Sequence, residues 1–249
     1  MIADPGTLRR PPFRALLDMA RAGNLPSVAS NVIAALVLSG PAGTAWPSGG
    51  QLVQALVAGF LLYAGGATLN DVADADFDRK HRPERAIPTG VFSRNSALIV
   101  GAIQMALGMA ILIRAGAAPW ALVVLVVVIL AYDWLHKRWA GSVVLMAGCR
   151  SMLGLSLATL PGHQAGPWFW TWTAAVFAYI VVLSVLARME YEQGSGEAAR
   201  TGRKIGRLLA FIPLIDAITL AAAGAWVGAV VCVVAIPVGR WAQRLAAST

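Results

Sequence analysis

Asp71, Asp74 and Asp78 stand at i, i+3 and i+7 within the segment NDVADADFDRKHRPERAIPTG, residues 70–90. On a helix that spacing projects all three carboxylates from one side, within an arc of roughly 60° at about 100° per residue. Asn70 lies at the edge of the arc, while Asp76 faces the other way. Three like charges on one face repel each other unless a cation sits between them. Hard oxygen ligands, with no cysteine or histidine among them, suit Mg²⁺ better than zinc. Arg79, Lys80, Arg82 and Arg85 follow directly and can hold an anion beside such a metal. Acids for Mg²⁺ next to bases for phosphate describe a site for a diphosphate. The competing reading is an ordinary solvated helix end.

The elements that must position these residues are membrane spans. Of 249 residues, 58% are hydrophobic and 13% charged, and the mean hydropathy is +0.67. Soluble domains carry about 25% charged residues, so the composition is that of an integral membrane protein. Apolar runs near the ~20 residues needed to cross a bilayer fall at 25–44, 51–69, 96–113, 118–135, 141–160, 167–187, 207–223 and 226–241. The last two are separable only by a tight turn near Gly224 and Ala225. The expected fold is all-α, a multi-pass bundle of about eight transmembrane helices around a central cavity. Residues 1–24 form an interfacial tail and 25–249 a single transmembrane domain.

Net charge +8 does not point to nucleic acid, because the basic residues sit between spans. Of 20 Lys and Arg, all but Arg114 and Arg150 lie in the tail or in alternate connections. The positive-inside rule then places both termini and the acidic loop in the cytoplasm, on the inner membrane if the cell is bacterial. The nine tryptophans are expected at span ends, Trp172 among them. Cys149 and Cys232 lie in apolar spans, where packing is their default role. His163, in the turn GHQAGP, is expected to be solvated.

The pattern NDxxDxxxD at 70–78, the basic run and RAIPTG at 85–90 resemble the first signature of the UbiA family of intramembrane prenyltransferases. Ala86 and Thr89 depart from its usual RPxxSG ending. The resemblance implies a Mg²⁺-dependent enzyme that moves an isoprenyl group from a prenyl diphosphate to an aromatic or lipophilic acceptor. It gives Asp71, Asp74 and Asp78 to the metal, and Asn70, Lys80, Arg82 and Arg85 to the substrate. Asn24, before the first span, matches an Asn that UbiA-like proteins carry near the site; as a helix cap it would serve equally. Tyr132, Leu135, Lys137 and Arg138 resemble the family's Tyr-Ser…Leu-Lys-Arg segment, with Asp133 in the Ser position, and make Lys137 a diphosphate contact. His136 is a candidate base or a bystander.

The second Asp-rich motif of the family is missing. At the end of the sixth span stand only Glu190 and Glu192, which face different sides. Arg188 can pair with Glu192 at i, i+4, which leaves Glu190 as the metal ligand and Arg188 as a further substrate contact. The segments ARMEYE and MAGCR (146–150) are similar to the EboC-like branch, and the family's usual nine helices exceed the eight found here. Two other functions stand beside this one: a UbiA-like terpene cyclase, which would use the same ionisation without an external acceptor, and a non-catalytic lipid-binding or transport component, which would explain the degraded motif.

Arg150 and Asp216 are the ionisable residues deep in the spans. Each lies nine residues past a span's inner end, roughly 13 Å in. Charges at such depth face the interior and find partners, so an ion pair or a shared polar network is expected between them.

Overall fold

The computed structural model describes residues 11–41, 45–192, 208, 209 and 211–246, with only the backbone of 187–192. Secondary structure among the described residues is helical throughout: α1 (Pro12–Met19), a 3₁₀ turn (Ala22–Asn24), α2 (Leu25–Ser39), α3 (Gly49–Ala73), α4 (Ala75–His81), α5 (Arg94–Arg114), α6 (Pro119–Leu135), α7 (Ser142–Ala158), α8 (Pro167–Glu192), α9 (Ile212–Ala222) and α10 (Trp226–Leu245). The eight apolar helices fall on the eight expected spans. Five of the stretches, Ala22–Ser39, α3, α5, Pro167–Leu186 and α10, are long and apolar enough to cross a bilayer on their own. α6, α7 and α9 are apolar but shorter, at 17, 17 and 11 residues.

Local chemistry explains the helix starts. Prolines occupy the first turns of α2, α6 and α9, where a missing N–H costs nothing. Ser48 and Ser93 cap α3 and α5 by accepting from the N–H groups of Gln51 and Ser96. Between α9 and α10 the expected tight turn is present. Gly224 takes φ +84°, which favours glycine, and Ala225 N–H closes back on the Leu220 carbonyl at 2.8 Å.

The closest helix pairing is that of α3 with α5. A Cβ on Gly65 would lie 2.9 Å from the Gly101 carbonyl, and one on Gly108 would lie 3.0 Å from the Ala58 carbonyl. Small residues at such a seam let two backbones approach closely, which supplies the packing that lipid cannot drive. A main core runs through α2, α3, α7, α8 and α9, with Trp172, Phe169, Leu36 and Leu62 among its largest fully buried side chains. A smaller cluster of Met19, Val72, Ala75, Ile87 and Ala97 fixes α1 and the 82–92 loop against the end of α3. That second cluster positions the acidic segment.

Trp172 corrects the interfacial expectation. It is 1% exposed, and its Nε1–H donates to Asp216 at 2.7 Å. Gly154 makes the room, since a Cβ there would meet the indole at 2.8 Å. The other eight tryptophans are exposed, as residues at a membrane interface should be. His163 is another correction. It is half-buried at the opposite end of the bundle from the acids, its Nδ1 3.0 Å from Ser39 Oγ and its Nε2 2.7 Å from Gln51 Nε2.

Candidate functional site

The acidic segment is two helices rather than one. Asp74 closes α3 and opens α4, and both flanking residues stay near helical geometry, so the predicted facing survives the break. Asp71, Asp74 and Asp78 are 5%, 4% and 1% exposed. Asp76 lies on the other side, exposed, and pairs with Arg79 and with Arg94.

Each buried acid meets a base from elsewhere in the chain. Asp71 Oδ1 accepts from Arg21 Nη2 at 2.8 Å and from Arg85 Nη1 at 2.9 Å. The same Arg85 nitrogen reaches Asp78 Oδ2 at 3.2 Å, while Arg82 stands 4.0 Å from Asp78 Oδ1. Lys137 Nζ and His136 Nε2 lie 2.7 and 3.2 Å from Asp74 Oδ1. Lys137 also sits 3.6 Å over the Phe77 ring, a cation–π contact that keeps its head beside the acids. Lys80 is exposed and forms no ion pair among the described residues.

The RAIPTG turn explains how Arg85 is aimed. Ile87 is buried in the smaller core, Thr89 Oγ1 donates to the Arg85 carbonyl at 2.8 Å, and Gly90 takes φ +73° to leave the turn. Between this turn and α1 opens a cleft of about 200 Å³. Asp18, Arg21, Asp71, Glu84 and Arg85 line it.

Two residues behind the acids complete the polar end. Asn70 Nδ2 donates to Asp133 Oδ1 at 3.1 Å. Asn24 makes no side-chain cap; its Nδ2 donates to the Tyr63 hydroxyl at 3.0 Å and its Oδ1 accepts from Gln243 at 3.5 Å. The side chains of Arg188 and Glu190 lie outside the described residues.

Electrostatics bind the pieces together. Burial pushes the Asp74 carboxyl up, but the hydrogen bonds from His136 and Lys137 outweigh it and hold it below its ordinary value. Burial likewise pushes His136 down, and its contact with Asp74 more than restores it, so its pKa is raised.

The donor set fits Mg²⁺ by chemistry: hard oxygens, with Asp78 Oδ1 buried and without a hydrogen-bond partner. As placed, no three His, Cys, Asp or Glu among the described residues gather closely enough to hold a metal ion. Arg85 bridges Asp71 and Asp78 instead, and Lys137 and His136 take Asp74.

Arg21 was legible only as a topology charge, and nothing in its spacing assigns it to Asp71. It adopts the left-handed conformation, φ 50° and ψ 43°, rare for a non-glycine residue. Backbone strain of this kind collects at functional sites. Tyr63, a partner of Asn24, was also missed; its signal was a lone phenol inside an apolar run.

The fold and site define a multi-pass membrane helix bundle with a buried acid–base cluster at one end. Residues 29–248 match the model of the UbiA prenyltransferase family, and the chain belongs to that family. Digeranylgeranylglyceryl phosphate synthase of Sulfolobus acidocaldarius is 28% identical over 121 residues, 49% of this chain and 42% of that protein. The enzyme of the same name from Methanopyrus kandleri is 29% identical over 175 residues, 68% and 61% of the two chains. 4-Hydroxybenzoate octaprenyltransferase of a Polaromonas species is 32% identical over 102 residues, 39% and 35%. Each match spans less than two thirds of the relative's length. Among solved structures, a UbiA homolog from Archaeoglobus fulgidus bound to DMAPP and Mg²⁺ superimposes with a TM-score of 0.57 at 15% identity, over 93% of this chain and 86% of that one. That likeness is one of fold.

Proposed function

We propose that this protein is a Mg²⁺-dependent membrane prenyltransferase that moves an isoprenyl group from a prenyl diphosphate to an aromatic or lipophilic acceptor. The observation that carries this reading is the meeting of Asp71, Asp74 and Asp78, all buried, with Arg21, Arg85 and Lys137 from three other segments at one end of an apolar bundle. Asp71, Asp74 and Asp78 would hold Mg²⁺, with Glu190 as a further ligand. The metal would supply charge neutralisation on the leaving diphosphate. Arg21, Arg82, Arg85 and Lys137 bind the same diphosphate and take up charge as the allylic C–O bond breaks. Arg188 adds fixed positive charge where the second motif is degraded, and Lys80 gathers substrate from outside the cluster. Apolar walls keep water from the allylic cation until the acceptor adds and loses a proton. Residues 25–249 act as one domain, with both termini and the acidic end in the cytoplasm. Within the family the EboC-like branch fits the ARMEYE and MAGCR segments.

Purified protein with Mg²⁺ and a radiolabelled polyprenyl diphosphate tests this directly. Acceptor-dependent diphosphate release is expected. Release without any acceptor would make the protein a cyclase or hydrolase, and no release would make it a binding component.

A further inference from the structure

The transfer proposed above releases a proton from the acceptor, and none of the groups placed so far is free to take it. His136 is the candidate base by sequence, yet both of its ring nitrogens are already donors. Nε2 faces Asp74 Oδ1 at 3.2 Å, and Nδ1 faces the Asp133 backbone carbonyl at 3.1 Å. An ionised carboxylate and a carbonyl can only accept, so the ring carries both hydrogens and has no lone pair left. Asp71, Asp74 and Asp78 are engaged by Arg21, Arg85 and Lys137.

Asp133 is not engaged in this way. It is buried in α6, at the position where the family segment carries a serine. Its Oδ1 accepts from Asn70 Nδ2 at 3.1 Å, while its Oδ2 is buried without a hydrogen-bond partner among the described residues. The bases that follow it in the chain, His136 and Lys137, turn their side chains to Asp74 instead.

Its depth is set by the register of two helices. Lys137, just past the end of α6, meets Asp74 at the end of α3. Four residues earlier on each strand of chain, Asp133 meets Asn70. That contact therefore lies one helical turn, roughly 6 Å, to the apolar side of the Asp74 level. A prenyl diphosphate with its head at the acids and its chain in the apolar interior has its allylic carbon at this boundary.

A carboxylate buried without a cation is costly, and a proton on it removes the cost. We propose that Asp133 is the catalytic base of the transfer. The allylic C–O bond breaks with its electron pair on the diphosphate, and a pair from the acceptor forms the new bond to the allylic carbon. The proton on the attacking atom passes to Asp133 Oδ2, and the electrons that held it stay in the product. Asn70, on the other oxygen, holds the carboxylate in place. The inference rests on the prenyltransferase reading above.

The test uses the full-length protein in detergent with Mg²⁺ and radiolabelled geranylgeranyl diphosphate. The acceptors are 4-hydroxybenzoate and an isoprenyl ether of glyceryl phosphate, tried in turn. Prenylated acceptor and prenyl alcohol are counted separately, because an adduct that cannot shed its proton falls apart and leaves the cation to water. Their ratio does not depend on how much of a variant folds. Asp133→Asn keeps an acceptor for Asn70 and loses the base. It should lower transfer about 100-fold or more and shift the label toward prenyl alcohol. The KM for prenyl diphosphate and the Mg²⁺ requirement should stay unchanged. Asp133→Glu should recover part of the transfer, and Asp133→Ser, which offers no base, should not. An unchanged product ratio in Asp133→Asn would overturn the proposal and leave the departing diphosphate to take the proton. A raised Mg²⁺ requirement would overturn it as well, by making Asp133 a metal ligand. No transfer by the wild type to either acceptor would sink the enzyme reading itself, and the base with it.

Discussion

Asn31 Nδ2 lies 2.9 Å from both carboxylate oxygens of Asp216, and Asn31 Oδ1 accepts from Arg150. The two deep charges thus share a polar network through an amide, with no direct ion pair. Stability should follow that connectivity. In unfolding measurements in detergent, Asn31→Leu and Asp216→Leu should each destabilise, and the double variant should cost less than their sum by about 1–3 kcal/mol. The Arg150→Leu and Asp216→Leu losses should come closer to simple addition. A larger coupling for Arg150 with Asp216 than for Asn31 with Asp216 would contradict the bridge.

Asp71→Ala, Asp74→Ala and Asp78→Ala should each lower prenyl diphosphate turnover by about 100-fold or more, the scale of losing a group that stabilises developing charge. Asp76→Ala should fall far short of that, since Asp76 is exposed and its partners among the described residues, Arg79 and Arg94, are exposed as well. Steady-state assays on folded, membrane-inserted variants decide it, and equal losses at all four positions would break the assignment.

Arg21 should be as important to substrate as the residues of the acidic loop. Arg21→Met removes a base that pairs with Asp71 beside Arg85 and should raise the KM for prenyl diphosphate about 10-fold or more. Arg21→Lys should recover only part, because a lysine cannot reproduce the guanidinium fork. An unchanged KM would leave Arg21 a structural tie.

Glu190→Gln should raise the Mg²⁺ concentration needed for half-maximal turnover, and Glu192→Gln should not. A Mg²⁺ titration of both variants separates a remnant ligand from a bystander.

The apolar helices were legible in the sequence from the length of their apolar runs, and the facing of the acids from helical periodicity. Asp71, Asp74 and Asp78 share a side by helical spacing alone, even though the chain breaks at Asp74. The partners of those acids were not legible. Arg21 and Lys137 reach them across 50 and 63 positions of chain, and only the packing of α1 and α6 on α3 brings them there. Trp172 failed for a related reason: an aromatic near a span end reads as an interface anchor unless the missing Cβ of Gly154 is known to stand opposite it.

His163 gives the protein an acid-sensitive tie at the far end of the bundle. Gln51 Nε2 can only donate, so His163 Nε2 must accept, and the ring is neutral in this arrangement. Burial lowers its pKa. A histidine whose folded pKa lies below its unfolded one stabilises fully above the unfolded value, about 6.5, and loses that stability as pH falls below it. The apparent Tm should therefore drop from pH 7.5 to 5.5 more in wild type than in His163→Gln. Parallel profiles would show that the ring is protonated without cost.

The glycine seam of α3 and α5 bears on how the protein is made. These helices are neighbours in sequence, joined by the acidic segment itself, and Arg85, the partner of both Asp71 and Asp78, lies on that same connection. A helical hairpin leaving the ribosome can thus close on itself with two of its three buried acids already matched. Asp74 alone waits for a segment not yet synthesised, and the arrival of Lys137 with α6 marks the moment in translation at which this end of the protein becomes whole.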